Sequence, residues 1–276
     1  MEDTQTVLEL HLGATQSDIK AVELLAQHCE LSRTVLKKAM KNGALWLERD
    51  DHVQRLRRAD RKLLQGDKLH LYYDAKIQKR QPQPAELIAD EGDYSVWCKP
   101  SGMLSQGSKW GDHCSINRWV EQRLQPQRNA FIVHRLDRAA SGLILLAHSK
   151  QLARQLSALF QQRQVEKHYR VWVEGKFPGQ QCRFDQPLDD RPAVSYAKAL
   201  NYDGQKDQSL LQVKIDTGRK HQIRRHLAAA GFPVVGDRLY GAKETEQDLQ
   251  LQAVYLAFAL EPDGERKEYC LSCVNN

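Results

Sequence analysis

The stretch HRLDRAASGLILLA, His134 to Ala147, joins two patterns. Its first half sets one carboxylate, Asp137, between Arg135 and Arg138, and then spends no bulk on Ala139, Ala140, Ser141 and Gly142. Its second half is an unbroken apolar run with the length of a strand buried on both faces. A surface ion pair, the usual fate of neighbouring Asp and Arg, needs no small residues behind it. A reactive carboxylate approached by a bulky anionic substrate does, and the small residues then read as room for that substrate.

The elements around this stretch set the fold class. Downstream, Ser149 is placed to cap a helix whose core face is Leu152, Leu156, Leu159 and Phe160. KHYRVWVEG (167–175) alternates Tyr169, Val171 and Val173 as a half-buried strand does. SLLQVKIDTGR (209–219) reads as another strand, and KHQIRRHLAAAG (220–231) as a helix stopped by Gly231. Upstream, YSVWCKPSG alternates Tyr94, Val96 and Cys98 before a turn at Pro100–Gly102. Strands and helices follow one another without a clean βαβ rhythm. This predicts an α+β domain: a mixed, largely antiparallel sheet with flanking helices.

The chain has 276 residues, 41% hydrophobic and 28% charged, the proportions of a soluble globular protein with room for a small domain beside a medium one. No apolar run approaches the ~20 residues that span a bilayer. The start, MEDTQTVLEL, has acids where a secretory signal has bases, so a cytoplasmic protein is expected. Six cysteines are thinly scattered. The close pair Cys270 and Cys273 lacks the second pair or the spaced histidines that zinc needs, and reads as ordinary thiols.

Charge is uneven. Residues 31–80 hold 14 Lys and Arg against 6 Asp and Glu, a local +8 on a chain of +6. Within that segment, SRTVLKKAMKNG (32–43) reads as a helix capped by Ser32 and stopped by Gly43. Val35, Leu36, Ala39 and Met40 share one face, and Arg33, Lys37, Lys38 and Lys41 lie elsewhere. An earlier helix is expected over about 18–29, and strands over GALWLERD (43–50) and DKLHLYY (67–73). A solvated charged face is the ordinary reading of such a cluster, but bases gathered on one helix of a compact unit suit a polyanion. The stretch of about 18–75 resembles the small RNA-binding module first known from a small-subunit ribosomal protein, the S-four type. KIQKRQPQPAEL then reads as an extended linker near 76–86. The expected division is a small basic α/β module at 1–80 and a larger domain at 81–276.

Three stretches carry chemistry: HRLDRAASG, KHYRV and TGRKHQIRRHLAAAGFPVVGDRLYG (217–241). Singly, Asp137 reads as a surface pair and Tyr169 as a core aromatic. His221 and His226 stand five apart, off a common helical face, so no shared metal is expected. Together and in order, with KPSGMLSQ (99–106) before them, they resemble the RluA family of pseudouridine synthases from about Tyr94 to Ser272. One departure is Ala140, where that family usually has threonine.

The resemblance implies an isomerase that breaks the N-glycosidic bond of a uridine, turns the uracil and bonds its carbon five to the ribose. No redox change or group donor is involved, so no cofactor or metal is expected. Asp137, Tyr169 and Arg224 are the implied catalytic set. A carboxylate, ionised at neutral pH in an ordinary aspartate of pKa about 3.9, can serve as nucleophile or base. Arg224 is its implied partner. The target base must leave its stack, at a cost of a few kcal/mol, with Arg135 filling the space and Tyr169 stacking on the uracil. Expected RNA contacts are Arg135, Lys167, Arg219 and His221, with Arg33, Lys37, Lys38 and Lys41 on the N-terminal helix. The partner is RNA, ribosomal before transfer RNA, bound by a monomer with no membrane involvement. A non-catalytic RNA-binding or ribosome-assembly protein would share the basic module but has no use for the catalytic set. A metal-dependent nuclease would need clustered carboxylates or ligand-spaced histidines.

Overall fold

A computed structural model describes residues 7–241 and 245–271. The chain divides into two compact units: Met1–Pro82 with Gln106–Trp119, and Gln83–Ser105 with Val120–Asn276.

The first unit contains β1 (Val7–Gly13), α1 (Ala21–Ala26), α2 (Arg33–Lys41), β2 (Leu45–Arg49), β3 (His52–Arg55), β4 (Lys68–Asp74) and α3 (Ala75–Gln78). The strands form an antiparallel sheet in the order β1-β4-β2-β3. Alternation decides which face is covered. Leu69, Leu71 and Tyr73 are buried, and they pack with Leu45 and Leu47 of β2 and with Leu25, Leu36 and Met40 of the helices. Asp50 and Asp51, both at positive φ (49° and 60°), supply the backbone of a tight two-residue hairpin between β2 and β3. The Ser32 hydroxyl accepts from the Val35 N–H at 3.3 Å, and Gly43 follows α2 at φ 81°. Arg33, Lys37, Lys38 and Lys41 are exposed on α2.

Several expectations change here. The helix expected over 18–29 is shortened to α1, because Asp18 takes φ 68° and Lys20 bridges to Lys62. The expected linker opens with α3, whose N–H groups at Lys76 and Ile77 are capped by Asp74. Buried Gln78 fixes that turn: it accepts from Asn42 and donates to the Trp110 carbonyl, both at 2.9 Å. Residues 106–119, expected in the larger domain, therefore belong with the first unit. Asp112 takes ion pairs there from Arg55 (3.3 Å) and Arg57 (2.5 Å), and Arg49 pairs with buried Asp67 through two bonds of 2.7 and 2.6 Å. Three arginines of the basic segment are thus committed to the fold.

The second unit has an α+β fold. It contains β5 (Glu86–Asp90), β6 (Tyr94–Lys99), β7 (Phe131–Ile132), β8 (Ser141–Ala147), α5 (Lys150–Gln161), β9 (Glu166–Glu174), β10 (Cys182–Phe184), β11 (Ser195–Asp203), β12 (Gln208–Ile215), α6 (Gln222–Ala229), β13 (Leu251–Ala259) and β14 (Arg266–Cys270). Before β7 the chain forms α4 (Ile116–Arg123). The strand order is β10-β11-β12-β9-β13-β8-β6-β5, with β14 beside β13 and β7 beside β8. Only β13 and β8 pair in parallel among the described strands. Ser149 caps α5 by accepting from Leu152, and Leu152, Leu156 and Leu159 pack with Val96, Leu143 and Leu145 of the sheet. Cys270 is exposed on β14, and Cys273 lies outside the described residues. Among the described residues, no helix is long and apolar enough to cross a membrane.

Candidate active site

One row of residues across the sheet sets the site. Gly142 of β8 stands opposite Ala253 of β13, Ala253 opposite Tyr169 of β9, and Tyr169 opposite Val213 of β12. A Cβ on Gly142 would meet the Ala253 carbonyl oxygen at 2.1 Å and its nitrogen at 2.6 Å, and Gly142 has φ 107°. The parallel pairing therefore requires glycine. Ala140 is buried, 2% exposed. The small residues after Asp137 thus clear space for protein backbone: at Gly142 and Ala140 the room read for a nucleotide is taken by the sheet and the loop itself.

Asp137 sits in the loop that leads into β8, and KPSGMLSQ fastens that loop. The fully buried Lys99 ammonium donates to the carbonyls of Ala140 (2.6 Å), Met103 (2.9 Å), Pro100 (3.0 Å) and Arg138 (3.4 Å). Ser101 donates to the Ala139 carbonyl at 2.8 Å, and Ser105 both donates to the Leu136 carbonyl and accepts from its N–H. The carbonyls on both sides of Asp137 are thereby hydrogen-bonded within the protein. Burial lowers Lys99 to about 8, against the opposing pull of Asp137.

The Asp137 side chain is 28% exposed. Arg224, on α6, donates one bond to Asp137 Oδ2 at 3.4 Å and two bonds of 2.7 Å to Asp237. Asp237 is fully buried and also accepts from the N–H groups of Leu239 (2.9 Å) and Tyr240 (3.1 Å). Burial opposes both charges, yet their mutual hydrogen bonds hold Asp237 below its ordinary pKa and Arg224 above. The fork of Arg224 is thus aimed by Asp237, leaving its third nitrogen for Asp137. Arg224 thus meets Asp137, its expected partner, through one long bond, and is held by Asp237, a partner the sequence reading does not include.

His221 caps the start of α6 in the left-handed region, φ 55°, with Nδ1 3.0 Å from the Tyr240 hydroxyl and Nε2 3.8 Å from Asp137 Oδ1. Burial lowers its pKa; Arg224 and Lys220 add to that, and Asp137 opposes it. Asp137, Arg138, Ala139, His221, Arg224, Arg238 and Leu239 help to line a cavity of about 260 Å³. Tyr169 is buried, and burial with the Asp137 charge pushes its phenol well above the ordinary range.

The other expected residues are spread more widely. Arg135 is exposed, and Arg219 donates to the Pro192 carbonyl at 3.1 Å. Lys167 stands 5.8 Å from the Phe160 ring, which stacks on His134 at 4.4 Å. Among the described residues, no interaction joins Lys167 to Asp137. His134 itself is structural: half-buried, with its ring desolvated and lowered to about 3, it accepts the Leu145 N–H at 2.9 Å. His226 turns away to Ser195 and Gln186. Lys99, Asp237 and Tyr240 were not singled out in the sequence, although each lies inside a stretch quoted for its resemblance.

Comparison with known proteins gives the class. The RNA pseudouridylate synthase family matches residues 93–229. An RNA pseudouridine synthase of Chloroflexus aurantiacus is 32% identical over 219 residues, covering 68% of this chain and 68% of its own. The dual-specificity RNA pseudouridine synthase RluA of Vibrio parahaemolyticus is 34% identical over 195 residues, covering 63% of this chain and 77% of its own. The solved structure of human RNA pseudouridylate synthase domain containing 1 superposes with a TM-score of 0.58 at 22% identity, over 70% of this chain and 86% of that one. The chain belongs to the RluA-type pseudouridine synthases and is an RNA-modifying isomerase.

Proposed function

We propose that Asp137 is the nucleophile and that the target uridine is flipped out of its stack to reach it. The observation that carries this reading is the carboxylate's setting. Asp137 lies on the wall of a cavity, partly open, on a loop fastened at Leu136, Arg138, Ala139 and Ala140, and aimed by an arginine that Asp237 anchors. A preorganised carboxylate of this kind needs no rearrangement at the moment of attack. Exposed Arg135, two residues away, is free to fill the vacated stack, and Tyr169 supplies an aromatic face worth roughly 1–3 kcal/mol per stacked base. Arg219 and the exposed cations Arg33, Lys37, Lys38 and Lys41 are assigned to the RNA backbone.

The substrate we propose is a uridine in structured RNA, large-subunit ribosomal RNA before transfer RNA, on the strength of the exposed cations on α2. The test is pseudouridine formation on transcripts of both classes by native protein and by Asp137→Asn, which keeps shape and loses charge. The native protein should modify ribosomal RNA and the variant should bind it without turnover. Turnover by the purified variant sinks the nucleophile; turnover on transfer RNA alone sinks the target.

A further inference from the structure

Isomerisation leaves a proton to be moved. When carbon five of the uracil has bonded to the ribose, it still carries its hydrogen, while N1 lacks one. The acceptor must lie in the cavity. Arg138, Arg224 and Arg238 are cations, and Asp237 has both oxygens engaged by Arg224, Leu239 and Tyr240. Asp248 lines the cavity but is exposed, and its backbone packs on Gly236. Tyr169 stays protonated, since burial and Asp137 both raise its phenol.

His221 answers the requirement. Its ring is oriented through Nδ1 by the Tyr240 hydroxyl and packs edge-on to that ring at 5.7 Å. Its Nε2 faces Asp137 across 3.8 Å, a gap too long for a direct bond. A histidine at φ 55° is in the left-handed region that non-glycine residues adopt uncommonly, and the surrounding structure holds it there. Asp137, Asp237, Arg224 and Lys220 are the charged groups that act on the ring; burial, with the two cations, outweighs the two carboxylates and favours the neutral form.

We infer that His221 Nε2 removes the proton from carbon five in the last step of the isomerisation, with Tyr240 as its positioning residue. This rests on the reading of Asp137 given above. The C5–H bond breaks and the proton goes to Nε2. Its electron pair forms the C5–C6 double bond, and the C6–N1 pair moves onto N1, which takes a proton from water. His221 then returns its proton to water, so the step balances without oxidant, reductant or donor.

The test uses His221→Asn, because asparagine tolerates the left-handed backbone. Whichever transcript the native enzyme modifies is prepared with deuterium at carbon five of uridine, and separately with 5-fluorouridine. In single turnover at saturating RNA, His221→Asn should form pseudouridine about 10²-fold more slowly, with a primary isotope effect that the native enzyme lacks. The fluorinated base, which has no proton to lose at carbon five, should be re-attached at the native rate. Tyr240→Phe should show the same pattern more weakly, and it keeps the proposal testable if His221→Asn does not fold. Equal slowing on both RNAs overturns the proposal, as does weaker binding with native turnover at saturation. Failure of the Asp137 reading shows separately, as turnover by Asp137→Asn.

Discussion

Gly142 and Ala253 meet backbone to backbone in the only parallel pairing of the described sheet. With no Cβ on one side, β8 and β13 close up, and the loop that bears Asp137 leads directly into this pairing.

Gly142→Ala should therefore damage stability and turnover together. The Cβ would meet backbone that cannot swing aside, at a φ that alanine rarely adopts. Overpacking and backbone strain each cost about 1–3 kcal/mol. Urea denaturation should show a loss of about 2–6 kcal/mol, with activity reduced even where the variant is fully folded. Native turnover in a destabilised variant would show that Asp137 is held independently of this pairing.

Asp237 and Arg224 can be separated by charge and shape. Asp237→Asn removes the charge that anchors a buried guanidinium, and breaking such a pair costs about 3–5 kcal/mol. Arg224→Lys keeps the charge but cannot donate two bonds to Asp237 and a third to Asp137 at once. Both variants should lose turnover, on the order of 10²-fold, while RNA affinity changes little. Affinity lost with turnover preserved at saturating RNA would make Arg224 a phosphate contact.

Much of this was legible in the sequence, for stated reasons. Period-two runs such as 167–175 and capped runs such as 32–43 and 149–161 carry their structure locally, so their elements appear where expected. The row Gly142–Ala253–Tyr169 is set by register between distant strands, which no local pattern encodes. For that reason the small residues after Asp137 look, in the sequence alone, like room for substrate. Asp237 carries no signal in the sequence, because an aspartate in a turn looks like a turn residue until its arginine, thirteen positions earlier, folds back on it. Gln78 and Asp112 draw 106–119 into the first unit through a few polar contacts, too sparse to mark a boundary in composition.

Lys99 gives a pH dependence with a definite sign. Its pKa in the fold, about 8, lies below the ordinary lysine value of 10.5. Between those values the unfolded chain holds more protons than the folded one, so Lys99's contribution to stability rises with pH across that window and is flat below it. Lys99→Met takes the ammonium donor from four carbonyls and should be less stable at every pH. Its deficit against the native protein should widen by about 3 kcal/mol between pH 7.5 and 10.5. Denaturant midpoints across that range measure it; a constant deficit would mean that the four carbonyls keep the ammonium charged throughout.

The last prediction concerns the basic face of α2. Deleting residues 1–80 is a poor test, because 106–119 would lose the Gln78, Arg55 and Arg57 partners that hold it. Lys37→Glu with Lys38→Glu is cleaner, since both side chains are exposed and the core face of Leu36, Ala39 and Met40 is untouched. If both lysines sit against phosphates, two fewer counterions are released on binding, and the slope of log affinity against log salt should fall by about 1.5–2. Turnover at saturating RNA should stay native, because Asp137 and Arg224 are unaltered. Reversing two exposed charges of the second unit, Lys176 and Lys206, changes the net charge equally and should leave the slope nearly as it was. Equal effects from the two pairs would mean that RNA responds to the protein's overall charge, and α2 would lose its assignment as a binding face.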